Sequence, residues 1–366
     1  MNYQPLMQRA LALACKAEGQ TGHYPMVGAL LVKNGRVISE GYFMRPGEPH
    51  AEVKAIRAAG PNARGATLVL NLEPCSHFGR TPPCADAVIK AGIKKVVAGM
   101  VDPNPLVSGR GFRKIRRAGI QVINGVLEKE CRFLNRHFIK FITTGTPWVK
   151  VKLAVTADGK IADRYGNSKW ISSGQSRQFV HRLRSQVQVV MVGINTVLAD
   201  DPRLNARTPA AKHQPRPLVV DERLKIPLSA RVLKTQAPGG ALLACTTEAP
   251  RRKIRRLESL GVQLIETRPD AKGMVNLKEL MKKLGKLKIA SLLLEGGAHL
   301  AGAVIEQKLA DEIFFFYAPK LLPDEKALTA LSGTVPRKIS SAIPLIAPQF
   351  RRLGPDLVLN ALLREI

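Results

Sequence analysis

Apolar residues recur along the chain with two alternating periods. Over residues 5–17, Leu6, Ala10, Leu13 and Ala14 fall on one helical face. Residues 27–32 read as a strand, and Asn34-Gly35 is the two-residue signal for a hairpin returning through residues 37–42. Residues 51–59 read as a helix stopped by Gly60-Pro61. The alternation continues with a strand at 66–72, a helix at 85–91, a strand at 95–100, a helix at 111–118, a short strand at 121–124 and one helix over 128–140. The stretch 141–147 carries one Gly, one Pro and three Thr, and the predicted domains are 1–145 and 146–366. In the second half, strands are predicted at 148–156, 187–192, 217–221, 241–245, 263–266, 290–295 and 312–318. Helices fall between them at 174–185, 276–284 and 298–306. Both halves are therefore expected to be layered α/β domains.

Composition narrows the partners. Of 366 residues, 57 are Lys or Arg and 28 are Asp or Glu, a net charge of +29. The excess is spread over both halves, with dense runs at 251–256 and 282–288 on predicted helix faces. Such a field draws anions, phosphorylated small molecules among them. Aromatic residues make up only 5%, which argues against a nucleic-acid surface built on base stacking. No apolar stretch approaches the roughly 18 residues of a spanning helix. The first 20 residues lack the pattern of a secretory signal, so a cytoplasmic location is expected. Five scattered cysteines do not make a disulfide framework and read as thiols or metal ligands.

Two of the cysteines stand out beside a histidine. His50-Ala51-Glu52 opens a predicted helix, and Pro74-Cys75 is followed by Cys84. One His and two Cys make an open zinc site that keeps a position for water. Zinc lowers the pKa of that water from 15.7 to about 7. Glu52, on the same helical turn as His50, can carry its proton to a leaving amine. This H-x-E … P-C … C order is that of zinc-dependent base deaminases. His77, between the cysteines, is a competing donor.

Eight residues separate the two cysteines. The run 74–84, PCSHFGRTPPC, with GEPHAE before it, resembles the deaminase half of the bifunctional riboflavin-biosynthesis enzymes. These are the diaminohydroxyphosphoribosylaminopyrimidine deaminase / 5-amino-6-(5-phosphoribosylamino)uracil reductases. Asp102-Pro103-Asn104-Pro105 and Gly109-Arg110-Gly111 also match, as do Lys152-Leu153-Ala154, Ser168-Lys169-Trp170, residues 192–202, Glu295-Gly296-Gly297 and Ala318-Pro319-Lys320. The resemblance implies a cytidine-deaminase-like N-terminal domain and a dihydrofolate-reductase-like C-terminal domain. It implies one Zn2+ held by His50, Cys75 and Cys84, with Glu52 catalytic. It implies NADPH contacts at Ala154, Trp170, Thr196, Asp200 and the segment Gly297, Ala298, His299, Leu300, Ala301, Gly302 and Ala303. Contacts to a phosphorylated pyrimidine substrate are implied at Ser168, Arg184, Leu204, Arg207 and Glu295. Asp200 and Glu295 are candidate proton donors, and a homodimer or homotetramer is implied.

Four positions depart from the family pattern. Tyr24 stands where an Asn is usual, Thr156 replaces a Ser, Gln188 replaces an Asp, and Leu322-Pro323-Asp324 replaces Leu-Gly-Gly. Two other readings stay open at this point. One is a zinc deaminase of another base or nucleotide with a binding-only second domain. The other is an inactive scaffold retaining zinc, against which the intact Glu52 argues.

Overall fold

The computed structural model describes residues 2–79, 81–209, 211–333, 335 and 338–366. Arg80, within the quoted 74–84 run, lies outside the described residues. The chain forms two compact units, 1–145 with Ile366, and 146–365.

The first unit runs α1 (Gln4–Cys15), β1 (Gly28–Lys33), β2 (Arg36–Tyr42), α2 (Ala51–Ala59), β3 (Thr67–Leu70), α3 (Cys84–Lys90), β4 (Lys95–Ala98), α4 (Arg110–Arg117), β5 (Gln121–Ile123), α5 (Glu128–Leu134) and α6 (Arg136–Thr144). Its sheet has the order β2-β1-β3-β4-β5. Strand β1 is antiparallel to both neighbours, and β3, β4 and β5 are parallel. The hairpin turn is at Asn34-Gly35, both with positive φ (51° and 77°), as the sequence pair predicts. Glycine brings the site's helices close. A Cβ on Gly41 would meet the Ala51 carbonyl at 2.3 Å, so only glycine lets the start of α2 rest on β2. A Cβ on Gly111 would meet the Pro74 carbonyl at 2.0 Å, which brings α4 against the loop that carries Cys75.

The single helix expected at 128–140 is two helices, and the expected linker is largely the second of them. The break is at Asn135, which is fully buried. Its Oδ1 accepts from the Met26 amide at 2.7 Å and its Nδ2 donates to the Met26 carbonyl at 3.1 Å. A partner 109 residues away takes a side chain that helix propensity alone would leave in the helix. Gly145, at φ 68°, closes α6.

The second unit runs β6 (Trp148–Thr156), β7 (Lys160–Ala162), α7 (Gly174–Ser185), β8 (Val189–Gly193), α8 (Ile194–Asp200), β9 (Arg216–Val220), β10 (Leu242–Thr246), α9 (Arg251–Ser259), β11 (Gln263–Thr267), α10 (Leu277–Lys286), β12 (Ser291–Glu295), α11 (Ala298–Glu306), β13 (Glu312–Ala318), β14 (Leu328–Thr329), β15 (Ile346–Leu353) and β16 (Asp356–Leu362). Nine strands form one sheet in the order β11-β10-β9-β8-β12-β6-β13-β16-β15. It is parallel from β11 to β13, and β16 and β15 add antiparallel. The central strands β8 and β12 are covered on both faces, so their Val- and Leu-rich runs are continuous rather than alternating; β6 is interrupted by Lys150 and Lys152.

Two of the departures have structural accounts here. Gln188 accepts from the Ala290 amide at 2.8 Å and donates to the Lys288 carbonyl at 3.1 Å, a pairing that an Asp carboxylate cannot complete. The Thr156 hydroxyl donates to Asp158 at 2.6 Å and accepts from the Lys160 amide at 2.9 Å, as a serine would.

Candidate active sites

The first site is assembled at the starts of two helices. His50 is the residue before α2, and Glu52 lies in its first turn, 4% exposed. Cys84 is the first residue of α3, and its amide donates to the Cys75 sulfur at 3.3 Å. His50 Nδ1 stands 3.1 Å from Cys84 Sγ and 3.7 Å from Cys75 Sγ. All three donor atoms lie within 4.8 Å of one another. Among the described residues this donor cluster does not include His77. The Cys84 thiol hydrogen-bonds Cys75 and holds Cys75 well below the usual thiol range, and His50 adds to the effect. Burial pushes the Glu52 carboxyl up to about 7. One nitrogen and two sulfurs at this separation fit a zinc ion.

Sequence reasoning missed how the cysteine loop is supported. Buried Glu73, two residues before Cys75, accepts from the amides of Asp102 (3.1 Å), Gly109 (2.9 Å) and Phe112 (3.1 Å). An acidic residue directly before the Pro-Cys pair, at the end of an apolar run, was the available signal. Asp102 itself is pushed up to about 7 by burial, with the Glu73 charge adding to it. Tyr24 is half-buried and belongs to an aromatic series leading to the site. Its ring meets Phe43 edge-on at 6.1 Å, and Phe43 meets His50 edge-on at 5.4 Å.

The second site is a cavity of about 1610 Å³ within the second unit. A single small-molecule site spans roughly 300–1,000 Å³, so this one has room for two ligands together. It collects the carboxyl ends of β8, β9 and β12, where open parallel sheets bind ligands, and the middle of β6. Ala154, Trp170, Thr196, Asp200, Gly297, Ala298, His299, Leu300 and Ala303 all line it, as do Ser168, Arg184, Leu204, Arg207 and Glu295. Ala301 and Gly302 do not. They are buried on the other face of α11, where a Cβ on Gly302 would meet the Ser332 carbonyl at 2.2 Å.

Within the cavity, Arg184 and Glu295 form a bidentate pair at 2.5 and 2.8 Å, with side chains only 13% and 10% exposed. Burial alone would raise the Glu295 carboxyl, but the Arg184 guanidinium outweighs it and holds the group below its usual range. Glu295 therefore stays ionised and is a poor proton donor. Asp200 is ion-paired with Lys169 at 3.1 Å. Lys152 was quoted in the sequence only as part of a motif. It faces the cavity from β6, and burial lowers its ammonium while Glu295 opposes the shift. The strand carries two lysines, Lys150 and Lys152, and nothing local in the sequence says which one faces the cavity. His181 accepts from the Arg207 amide at 3.3 Å. Burial and the charges of Arg184 and Arg207 push it down to about 4, so it is neutral at pH 7.

Fold and sites together define a two-domain enzyme, a zinc deaminase joined to a nucleotide-dependent reductase. Residues 1–100 match the cytidine and deoxycytidylate deaminase zinc-binding region, and residues 147–359 match the RibD C-terminal domain. The riboflavin biosynthesis protein RibD of Aquifex aeolicus (strain VF5) is 42% identical, over 96% of this chain and 96% of its own length. That of Escherichia coli (strain K12) is 41% identical, over 97% of each chain. Among solved structures, RibD of Acinetobacter baumannii (form 1) has a TM-score of 0.88 at 37% identity, covering 98% of both chains. A diaminohydroxyphosphoribosylaminopyrimidine deaminase / 5-amino-6-(5-phosphoribosylamino)uracil reductase from Thermotoga maritima has a TM-score of 0.84 at 35% identity, covering 98% of both chains.

The chain belongs to the RibD family of riboflavin-biosynthesis enzymes. It is a bifunctional deaminase and reductase, with Zn2+ and NADPH as cofactors and a phosphorylated small molecule as substrate. Its N-terminal domain is cytidine-deaminase-like and its C-terminal domain dihydrofolate-reductase-like. The reading of the second domain as binding-only gives way to this one. Among the described residues, no helix is long and apolar enough to cross a membrane.

Proposed function

We propose that the two sites act in turn on one substrate. The first removes the C2 amino group of the phosphoribosyl diaminopyrimidinone. The second reduces the ribosyl side chain of the product to ribityl. The observation that carries this is buried Glu52 beside the His50, Cys75 and Cys84 donors. Zinc, when held by those three residues, supplies a Lewis acid that acidifies water. Glu52, whose carboxyl titrates near neutrality, takes the proton of the attacking water and passes it to the departing ammonia. Its burial keeps bulk water from competing for that proton.

In the second site NADPH supplies the hydride. The cofactor contacts are assigned to Ala154, Trp170, Thr196, Asp200, Gly297, Ala298, His299, Leu300 and Ala303, without Ala301 and Gly302, which face away from the cavity. Arg207 grips the substrate phosphate, with Ser168 and Leu204 flanking it. The Arg184–Glu295 pair presents a fixed carboxylate edge to the ribose hydroxyls. Lys152 supplies the proton that accompanies ribose opening, since Glu295 is held ionised and Asp200 is paired. A homodimer or homotetramer in the cytoplasm completes the reading. The test is a coupled assay of the zinc-loaded protein that follows ammonia and NADPH on the diaminopyrimidinone. Ammonia release followed by NADPH consumption supports the order; NADPH consumption without ammonia overturns it.

A further inference from the structure

We propose that the Arg164–Asp324 ion pair is a latch that holds the 163–172 loop, and with it Trp170, in place against the reductase cavity. The proposal rests on the reading of Trp170 as a wall of the cofactor site.

The loop needs a latch because packing does not hold it. No side chain from 163 to 172 is buried, and Trp170 is 65% exposed. A wall without a core behind it is positioned by polar ties or not at all. Part of the loop's shape is internal: Asp163 accepts from the Tyr165 and Asn167 amides, both at 2.9 Å. Its ties to the rest of the unit are few. Arg164 Nε donates to Asp324 Oδ2 at 2.7 Å, and Nη2 donates to Oδ1 at 2.5 Å. Lys320 Nζ donates to the Trp170 carbonyl at 2.7 Å. Lys169 pairs with Asp200 at 3.1 Å, and the Arg177 guanidinium lies 4.5 Å from the Trp170 ring centre.

The other side of the latch is rigid. Pro323 fixes the backbone immediately before Asp324. The Leu322 amide is tied to Asp158 at 3.1 Å, and the Lys326 amide donates to Asp324 Oδ1 at 3.0 Å. The carboxylate therefore meets Arg164 with little freedom left to lose, which is the condition under which a half-exposed pair contributes measurably. The hydrogen bonds from Arg164 hold Asp324 below the usual carboxylate range, so the pair persists at neutral pH. Lys320 and Asp324 lie four residues apart and grip the loop at Trp170 and at Arg164. The substitution of Pro-Asp for Gly-Gly in the 322–324 run thus replaces a free backbone with a fixed acceptor. A wall ordered before the cofactor arrives lowers the entropy cost of binding it.

The protein reports on this itself. It has two tryptophans, and Trp148 is 2% exposed, so acrylamide quenching of tryptophan fluorescence reads Trp170. In the zinc-loaded full chain, Asp324→Asn should increase that quenching and weaken NADP+ binding about three- to fivefold, the scale of one well-placed half-exposed pair. KM for NADPH should rise with kcat little changed, and ammonia release should stay at the wild-type rate. The swapped pair Arg164→Asp with Asp324→Arg should recover most of the loss. Wild-type quenching and affinity in Asp324→Asn overturn the latch, as does greater quenching with unchanged affinity. Trp170→Ala separates the two claims. If it leaves NADP+ affinity unchanged, the cofactor-wall reading fails, whatever Asp324→Asn does to quenching.

Discussion

The two halves of the chain build their sites in opposite ways. In the first unit three ligand atoms and one carboxyl come from residues 50–84, set by two helix starts, with the cysteine loop tied through Glu73 to the amides of Asp102, Gly109 and Phe112. In the second, the polar groups come from residues 152–295, and an ion pair between α7 and the end of β12 joins them. The first site is a compact donor set that a metal completes. The second is a large cavity in which the pairs Arg184–Glu295 and Lys169–Asp200 share the wall with further basic groups, Lys152 and Arg207 among them. The difference teaches where each is vulnerable: the deaminase to loss of any one ligand, the reductase to loss of charge balance.

The sharpest way to break the comparison is at the metal. Cys75→Ala should abolish zinc retention and ammonia release together. It should leave NADPH oxidation unchanged when the already deaminated substrate is supplied. Metal analysis beside the two rate assays checks this, and a joint loss of both activities would show that the sites are not separable.

Charge balance comes next. Glu295→Ala leaves Arg184 nearly buried without its partner, which should cost about 3–5 kcal/mol in unfolding of the second unit. Denaturant titration with NADP+ absent measures it. Because Glu295 is held below the usual carboxylate range, the pair's contribution is present above about pH 4.5 and is lost as the pH falls further.

A smaller effect belongs to His181. Its folded pKa is about 4 against 6.5 for the free group, so the unfolded chain binds the extra proton between those values. Stability should therefore fall as pH drops from 6.5 toward 4. With the ring about half exposed, the loss is on the order of 1 kcal/mol. His181→Gln should flatten that slope, as thermal melts across the pH range would show. An effect of similar size is expected at Gln188. Replacing it with the family's Asp removes the donor to the Lys288 carbonyl and should cost about 1 kcal/mol, read as a lowered Tm.

Legibility followed the same division. The zinc set was readable because its ligands lie close in sequence and in a fixed order. Strands such as β3, β8, β10 and β12 were readable because burial made them continuous apolar runs, whereas β16, though partly buried, was not read. What escaped depended on distant partners or on exposure. The break at Asn135 is fixed by Met26, far away in the chain. The strand β15 has no buried residue and so carries no alternation to read. Lys152 is a site residue through its neighbours Glu295 and Arg184, which no local pattern reports. The resemblance assigned residues 297–303 to the cofactor as a block. Helical geometry turns Ala301 and Gly302 toward the core instead.

The most direct test of the central claim, two separable reactions with Glu52 as proton carrier of the first, is Glu52→Gln. The variant should keep about one zinc per chain. It should release ammonia about 10²- to 10⁴-fold more slowly and oxidise NADPH at the wild-type rate on the deaminated substrate. Undiminished ammonia release with zinc in place would contradict the account.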